Sequence, residues 1–533
     1  MSVALCRASR SLPARLALKS GLYGQVSGYG VELRHSWTRA PLRRSIGTAA
    51  DEASSFSPSA CTWLTSTPEK ITPGDIFSSW RKPASELTQH YTPLLLVTPG
   101  FAHWADRKSS FLELWMNQLS QQTSESPVQE PIHAIIAVVD RLPGYHSHDG
   151  HSTAYGPMTE SEGLSMLFVR SENVQGKPLK LRQVRAVEKE EATVIISLQK
   201  SLGSQEAVRP PLHEIGLRLA NTIFLNGKEN TLIGTRWAYD SSLKRLGLQE
   251  SVDLSLCSIT VNHGDIRTSL DLPLYPVGER RKVISSMGNI LRQIAKHAGS
   301  ESNEPIPASS ELEKELPRYI TEHNIQDRRV SVWALIETSA ESPYSKSNHS
   351  QSNLAKSIQA GGKLHRVMSG GGGWGKKQGL LSLDPEVSFE KSEGKSLLAL
   401  SDVFSESAQG STNGASTRFE PQMFMEDLST LSQAAEPGNY VQFFASIEQD
   451  QSPNSQDQVP AFSEESISYH FGVVSDAEAL PSQTEPQRDL RVVPSSFGAL
   501  SESAITYLQP VDETSESRTK IDIPGSRVVL VAE

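Results

Sequence analysis

The chain has 533 residues and a formal net charge of −10, with 37% hydrophobic and 21% charged residues. This composition is ordinary for a globular protein, while the length exceeds what one hydrophobic core usually organises, so we expect more than one domain-sized unit. The acidic balance argues against a general nucleic-acid binder. The three cysteines, Cys6, Cys61 and Cys257, form no CxxC pair and indicate neither a disulfide framework nor a zinc site.

Residues 1–50 differ in charge from the rest of the chain. They contain seven arginines and one lysine but a single acidic residue, Glu32, and no unbroken apolar core follows the first charges. This pattern is typical of a mitochondrial presequence, with a disordered basic tail as the alternative. We therefore expect a mitochondrial matrix protein. No stretch approaches the about 20 apolar residues of a transmembrane helix, so we expect no transmembrane segment and a mature chain that is soluble or peripheral to membranes.

The first predicted elements form a strand, a helix and a second strand. Residues 51–90 are rich in Ser, Thr and Pro and are predicted to be a linker. Leu94–Val97 and His133–Asp140 read as buried strands, and between them Phe111, Leu112, Trp115 and Leu119 follow a helical period. This order predicts a right-handed βαβ unit with parallel strands.

The later elements predict an α/β or α+β fold of layered mixed sheets with helices, in two main domains at 91–265 and 266–533. Apolar spacing predicts helices at 212–223 and 279–296. Polar stretches at 298–312, 338–360, 404–416 and 448–466 are predicted to be surface loops or disordered insertions. Further strands are predicted at Leu164–Val169, Thr193–Leu198, Thr231–Trp237, Leu254–Val261, Val330–Ile336, Leu397–Leu400, Tyr440–Ile447, Ile467–Val474, Leu490–Val493 and Arg527–Val531.

The most distinctive segment is a glycine-rich loop at 369–379. Its glycines reach positive φ and admit close approach, and its lysines add positive charge beside exposed N–H groups, so we predict a contact for a small, anionic ligand such as phosphate. A packing turn with the tryptophan as a plug is the alternative. The predicted ligand-binding residues are Gly370, Gly371, Gly372, Gly373, Trp374, Gly375, Lys376 and Lys377.

This loop matches the start of a nucleotide-binding P-loop but not the whole motif. Gly370, Gly375 and Lys376 occupy the fixed positions, while Lys377 stands where a magnesium-binding Ser or Thr is required. Gly379 and the following Asp384-Pro385 also break the helix that a P-loop needs. We therefore do not expect nucleotide hydrolysis, and no cofactor can be assigned.

Two other places could carry chemistry. The loop Tyr145–His151 holds three histidines and Asp149, which suit zinc or iron, although a solvated polar loop is the favoured interpretation. Asp140 ends an apolar strand, where functional carboxylates are common in α/β sheets. No nucleophile–base motif is present, so we assign no catalytic and no metal-binding residue.

The strand ending at Val97, the helix through Trp115 and Leu119, the strand His133–Val139 and the sequence Glu162-Gly163-Leu164-Ser165-Met166-Leu167 resemble the start of the FIST sensory domain. The resemblance covers about residues 90 to 200 and implies a module that binds small ligands such as amino acids. Leu142-Pro143-Gly144 replaces the family's Gly/Cys-rich turn. In general appearance the chain also resembles fungal mitochondrial proteins.

Three functions remain open at this point. The first is a non-catalytic matrix protein that binds a small ligand and acts as a sensor or assembly factor. The second is a mitochondrial gene-expression factor that contacts RNA or the ribosome through a basic face of helix 279–296 and through Lys376 and Lys377. The third is an enzyme that uses Asp140 or the histidine loop. The oligomeric state is open as well.

Overall fold

The computed structural model of the chain describes part of its length. Predicted features at 1–50 and 145–151, and residues 371–378 of the glycine-rich loop, lie outside this part. The described residues are 59–80, 90–107, 109–120, 131–144, 160–179, 191–200, 212–223, 227, 230–298, 303–322, 325, 330–338, 351–370, 379–387, 389, 397–409, 434–446, 466–475, 489–512 and 515–533.

Of the described residues, 56% are in strands and 19% are helical, which fits the predicted layered α/β or α+β class. The strands are β1 (Ser59–Thr65), β2 (Tyr91–Val97), β3 (Ile132–Val138), β4 (Leu142–Pro143), β5 (Glu160–Arg170), β6 (Val174–Pro178), β7 (Thr193–Lys200), β8 (Leu212–Arg218), β9 (Leu232–Asp240), β10 (Arg245–His263), β11 (Ile266–Asp271), β12 (Leu274–Met287), β13 (Ile290–Ala295), β14 (Pro305–Pro307), β15 (Ser331–Glu337), β16 (Lys363–Gly370), β17 (Leu381–Leu383), β18 (Leu398–Ala399), β19 (Tyr440–Ser446), β20 (Ile467–Val473), β21 (Arg491–Pro494), β22 (Ser496–Ser501), β23 (Ile505–Pro510), β24 (Glu516–Ile521) and β25 (Arg527–Ala532). The α-helices are α1 (Pro73–Ser79), α2 (Ser110–Ser120), α3 (Ser309–Glu322), α4 (Gln351–Gln359) and α5 (Leu400–Gln409).

A large mixed sheet is the centre of the fold. Its main path runs β21-β1-β5-β2-β3-β9-β10-β7-β8-β23-β24, with β4, β6 and β18 attached to it. The parallel pairing of β2 with β3 confirms the predicted strand, helix and strand. Pairs β1–β21 and β8–β23 join early and late parts of the chain, so the sheet crosses the predicted boundary at residue 265.

The predicted linker at 51–90 is wrong over residues 59–80, because β1 and α1 lie there. β1 pairs with β5 from Ser59↔Phe168 to Thr65↔Glu162. Its Ser and Thr content suggested a loop, yet the Thr62 hydroxyl is buried and bonds to Ser165 Oγ and Ser496 O at 2.8 Å each. Internal hydrogen bonds thus let polar side chains occupy a buried strand.

The large sheet is buried on both faces. On one face α2 places Phe111 and Trp115 against Leu95 and Val97 of β2. On the other face Leu94 and Leu96 share a core with aromatic residues of a second sheet, whose order is β11-β25-β20-β22. Burial on both faces explains the continuous apolar runs of β2 and β3.

The third sheet closes on itself. Its order is β12-β19-β15-β16-β17-β13, and β12 also pairs with β13, so these six described strands form an antiparallel barrel with β14 attached. Val283, Leu291, Leu383 and Phe443 belong to its core. A barrel of this size has room only for its own side chains.

The segments 212–223 and 279–296, which apolar spacing predicted to be helices, form strands. The segment 212–223 contains β8, which the neighbouring strands β7 and β23 pair on both sides. The segment 279–296 contains the end of β12 and the whole of β13, joined at Gly288 with φ of 59°. Apolar residues three or four apart also fit two strands around a turn, and the Gly288-Asn289 turn signal decides for the hairpin.

Three of the polar stretches predicted as loops or insertions contain helices. α3 begins inside 298–312, α4 lies within 338–360, and α5 extends from 400 into 404–416. Each helix buries a few apolar residues of a mostly polar sequence, such as Leu354 and Ile358 of α4. The predicted strand Leu397–Leu400 is shortened to β18 by the start of α5.

Close packing of two strands in the second sheet gives a testable prediction. A Cβ atom added to the buried Gly498 would lie 1.9 Å from the carbonyl oxygen of His470 on the neighbouring strand. Gly498→Ala should therefore lower the free energy of unfolding by about 2–3 kcal/mol, because the backbone must move to relieve the contact. Urea denaturation of the full chain measures this loss.

Gly247→Ala is the matched control, since no atom lies within 4 Å of the added Cβ in that strand. It should unfold at nearly the wild-type urea concentration. Equal stability of the two variants would contradict the close packing of β20 and β22.

Candidate functional site

The glycine-rich segment connects two neighbouring strands of the barrel. Gly370 is the last residue of β16 and pairs with Leu381 at the start of β17. The other predicted ligand-binding residues lie outside the described residues: Gly371, Gly372, Gly373, Trp374, Gly375, Lys376 and Lys377. Because β17 and no helix follows the segment, the structural context of a P-loop is missing, as the sequence indicated.

Gly379, where the described chain resumes, is held in place by backbone contacts. Its φ is +86°, and an added Cβ would lie 2.7 Å from the Cβ of Pro307, so only glycine fits without strain. Its carbonyl oxygen accepts a hydrogen bond of 3.2 Å from the backbone N–H of Ser309. The glycine-rich segment therefore returns to the barrel beside the first residue of α3.

An exposed arginine lies at the same end of the barrel. Arg292 follows Leu291, which pairs with Leu381, and its carbonyl oxygen accepts the N–H of Ala308 at 3.0 Å. The Arg292 side chain is exposed and forms no ion pair with any described residue. Its positive charge and the positive end of the α3 dipole thus lie near Gly379. Sequence reasoning missed this role, because it placed Arg292 on a helix.

The basic face predicted for RNA contact is not formed. Arg280 Nε lies 2.6 Å from Glu337 Oε2, with 13% and 9% of the two side chains exposed. Arg281 Nη2 lies 2.8 Å from Glu311 Oε2, with 9% and 4% exposed. Both arginines are in largely buried ion pairs, so they are not available to neutralise phosphates of a nucleic acid.

A second polar region, which we call the carboxyl edge, lies at the C-terminal ends of strands β2, β3, β20 and β22. Three carboxylates there each accept the backbone N–H of a residue that follows a strand. Glu162 Oε2 accepts from Gly100 at 3.0 Å, Glu160 Oε1 from Ser475 at 2.6 Å, and Asp140 Oδ2 from Glu502 at 2.7 Å.

Two of these carboxylates have an arginine partner that neutralises them. Glu162 pairs with Arg141, and Glu160 pairs with Arg527 at 3.2 Å. Asp140 differs from both. Burial raises its pKa to about 6, the carboxylate of Glu502 adds to this rise, and the Glu502 N–H and Arg141 oppose it.

Ser501 also contacts Asp140, and its side-chain hydrogen bond favours the ionised carboxylate, so it lowers the pKa of Asp140 against the larger effect of burial. The Ser501 hydroxyl donates to the carbonyl oxygen of Arg218 at 3.1 Å and accepts from the Ser503 N–H at 3.2 Å. Ser501 lies far from Asp140 in sequence, and no sequence signal links the two.

The carboxyl edge can exchange one proton, at Asp140, while its other carboxylates are fixed by arginines and N–H groups. The histidine loop that leaves this edge after Gly144 lies outside the described residues. Among the residues that are described, no group of three or more His, Cys, Asp or Glu could hold a metal ion. Within the same residues, no helix is long and apolar enough to cross a membrane.

Comparison of the chain with protein-family models, with curated proteins and with solved structures finds no match. The resemblance to the FIST domain therefore stays a prediction.

The raised pKa of Asp140 predicts how stability depends on pH. Because the folded pKa of about 6 exceeds the ordinary 3.8, stability is lost as pH rises from about 4 through 6, and the loss persists at higher pH. An asparagine in this place would keep both hydrogen bonds without a charge. Asp140→Asn should therefore be about 1–3 kcal/mol more stable than wild type at neutral pH and equal to it in acid.

Urea denaturation across this pH range tests the prediction. Asp253→Asn removes an exposed carboxylate that pairs with Arg107 and controls for the general loss of negative charge. An Asp140→Asn variant that is less stable than wild type at neutral pH would show that the ionised carboxylate is the stabilising form.

Proposed function

We propose that this chain is a mitochondrial matrix protein that binds a small anionic ligand at the glycine-rich segment 369–379. Binding, and not catalysis, is its main activity in this proposal, so that it acts as a sensor or an assembly factor. The observation that carries the proposal is the position of Gly379. The segment returns to the barrel beside the first residue of α3 and beside Arg292, which has no ionic partner among the described residues.

Several hydrogen-bond donors and positively charged side chains would then contact the ligand. Glycine N–H groups donate hydrogen bonds, Lys376 and Lys377 supply charge from the segment itself, and Arg292 supplies charge from β13. The acidic residue in the first turn of α3, Glu311, is buried and paired with Arg281, so it does not oppose an anion there. Glu313 of α3 accepts a hydrogen bond of 2.7 Å from the Ser309 hydroxyl, and Arg292, Lys376 and Lys377 outnumber this one carboxylate, so the net charge of this end of the barrel still favours a small anion.

The other two functions fit less well. Binding of RNA cannot use the paired Arg280 and Arg281, and the remaining cations are too few for a long polyanion. An enzyme is the second candidate, and the pKa of Asp140, which burial raises to about 6 at a strand end, is the feature that favours it.

Native mass spectrometry of the chain purified from mitochondria tests ligand binding. The wild type should carry additional mass from a bound small molecule. Arg292→Ala combined with Lys376→Ala and Lys377→Ala should lose this mass, since each removed charge weakens binding of the anion by about tenfold or more. The melting temperature should stay close to that of the wild type.

The matched control removes the same charges elsewhere on the barrel domain, at Lys282, Lys314 and Arg318. Lys282 is hydrogen-bonded to Asn303 at 3.2 Å. Lys314 and Arg318 form ion pairs with Glu315 and Glu322 at 2.6 and 2.7 Å. Because these cations already have partners within the barrel domain, the control should keep the bound mass. A wild type without additional mass, or a triple variant that retains it, would contradict the proposal.

The mitochondrial location of the protein is tested separately. A fluorescent tag at the carboxyl end should report a mitochondrial location for the full chain and a diffuse one for residues 51–533, because the basic segment directs import. Replacing the seven arginines of residues 1–50 by glutamine should have the same effect as deletion. Mitochondrial location of both altered chains would exclude the presequence.

A further inference from the structure

Three cations lie on one face of the large sheet, at its β8–β23–β24 end. In register, Gly216 of β8 lies opposite Thr506 of β23, which lies opposite Lys520 of β24. Arg218 is two residues from Gly216, and Arg518 is two residues from Lys520. Side chains two apart share a face, so Arg218, Arg518 and Lys520 form one cationic face with Gly216 among them.

Residues that follow β17 lie across this face. We call Asp384–Val387 together with Phe389 the strap. Lys520 Nζ lies 2.6 Å from Asp384 Oδ2 and 2.8 Å from Glu386 Oε2. Glu386 Oε1 also accepts a hydrogen bond of 2.7 Å from Arg218 Nη2, so one carboxylate joins two cations.

The end of the strap is held by an aromatic ring. The guanidinium carbon of Arg218 lies 4.2 Å from the ring centroid of Phe389. The Phe389 ring lies over Gly216, since a Cβ on Gly216 would be in van der Waals contact with Phe389 Cδ2 at 3.5 Å, whereas Thr506 Oγ1, at 2.3 Å, is the atom that excludes this Cβ. A carboxylate and a ring three residues later thus fit the cationic face together.

The beginning of the strap is fixed by backbone hydrogen bonds to the barrel, whereas Glu386 and Phe389 contact the sheet through their side chains. The Asp384 N–H donates to the carbonyl oxygen of Arg366 at 2.8 Å, and His365 Nδ1 lies 2.7 Å from the Asp384 carbonyl oxygen. Of the two cations that Glu386 joins, Arg218 is 26% accessible and Lys520 is 12% accessible, while Glu386 itself is 32% accessible. The more exposed Arg218–Glu386 pair is the one that salt screens, so it contributes little net stability.

Asp384 also keeps Lys520 paired when the rest of the strap leaves. Release of Glu386 and Phe389 then strands no buried ammonium. Arg218 keeps its ion pair with Glu191 through Nε at 3.1 Å, while its Nη2 group and the space above Gly216 are uncovered. A second segment of the same chemistry can replace them at little cost, because the incoming carboxylate and ring remake the ion pairs and the cation–π interaction that the strap gives up.

We propose that the cationic face is a docking site for an acidic peptide segment of a partner protein, and that Glu386 and Phe389 occupy it as a built-in competitor. The segment that fits carries a carboxylate and, three residues later, an aromatic ring. The carboxylate binds Arg218 and Lys520, and the ring lies on Gly216 beneath the Arg218 guanidinium. The strap therefore sets the affinity that a partner segment needs in order to displace it and bind.

Fluorescence anisotropy with a labelled peptide Asp-Pro-Glu-Val-Ser-Phe, the sequence of 384–389, tests the proposal on the full chain. Glu386→Gln with Phe389→Ala weakens the competitor and should raise affinity for the peptide about tenfold over wild type. Adding Arg218→Ala should abolish this gain. The control peptide Asp-Pro-Gln-Val-Ser-Ala should not bind.

A folded strap variant that binds the peptide no better than wild type, or that binds the control peptide equally, overturns the proposal. If the variant does not fold, hydrogen exchange of the wild-type chain decides instead. Millimolar peptide should speed amide exchange at 386–389 and leave β2 unchanged. Unchanged exchange at 386–389 would show that the strap is a permanent part of the fold.

Discussion

The fold depends on the pairing of strands that lie far apart in the sequence. β1 is paired by β5 on one edge and by β21 on the other, and β8 is paired by β7 and by β23. Buried N–H and C=O groups must find partners, so neither the first nor the last third of the chain can complete its backbone hydrogen bonds alone. The Thr62 hydroxyl shows the same dependence in one side chain, since it bonds to both Ser165 and Ser496.

This dependence explains how much could be predicted from the sequence. The β2–α2–β3 unit was predicted because the helical period of its apolar residues and the continuous apolar runs of its strands are local features. β1 was missed because Thr62 and Thr65 look like loop residues until their distant partners are known. The segment 279–296 was misassigned because apolar residues three or four positions apart fit a helix and a β-hairpin equally well.

The same reasoning applies to the candidate site. Composition alone drew attention to the glycine-rich segment, because so many glycines together with two lysines are unusual in a segment of this length. Arg292 could not be found in this way, since its place depends on the register of β13 with β17. The burial that raises the pKa of Asp140, and the hydrogen bond from Ser501 that opposes the rise, both depend on the packing of β22 against the end of β3.

Charge pairing unites the three polar regions of the structure. Arg280 and Arg281 are in largely buried ion pairs, and the arginines of the carboxyl edge fix two of its carboxylates. The cationic face is neutralised by the strap together with Glu191 and Glu214. In this acidic chain an exposed arginine without an ionic partner among the described residues stands out, and Arg292 is one, at the end of the barrel where the glycine-rich segment returns. This charge is the basis of the proposal that an anion binds there.

Lysine labelling tests that account most directly. The chain purified from mitochondria is treated with an acetylating reagent before and after a high-salt wash that removes bound anions, and each lysine is quantified by mass spectrometry. We predict that Lys376 and Lys377 are protected before the wash relative to Lys282 and Lys314, and become equally reactive after it. Equal reactivity of all four lysines before the wash would contradict an anion bound at the glycine-rich segment.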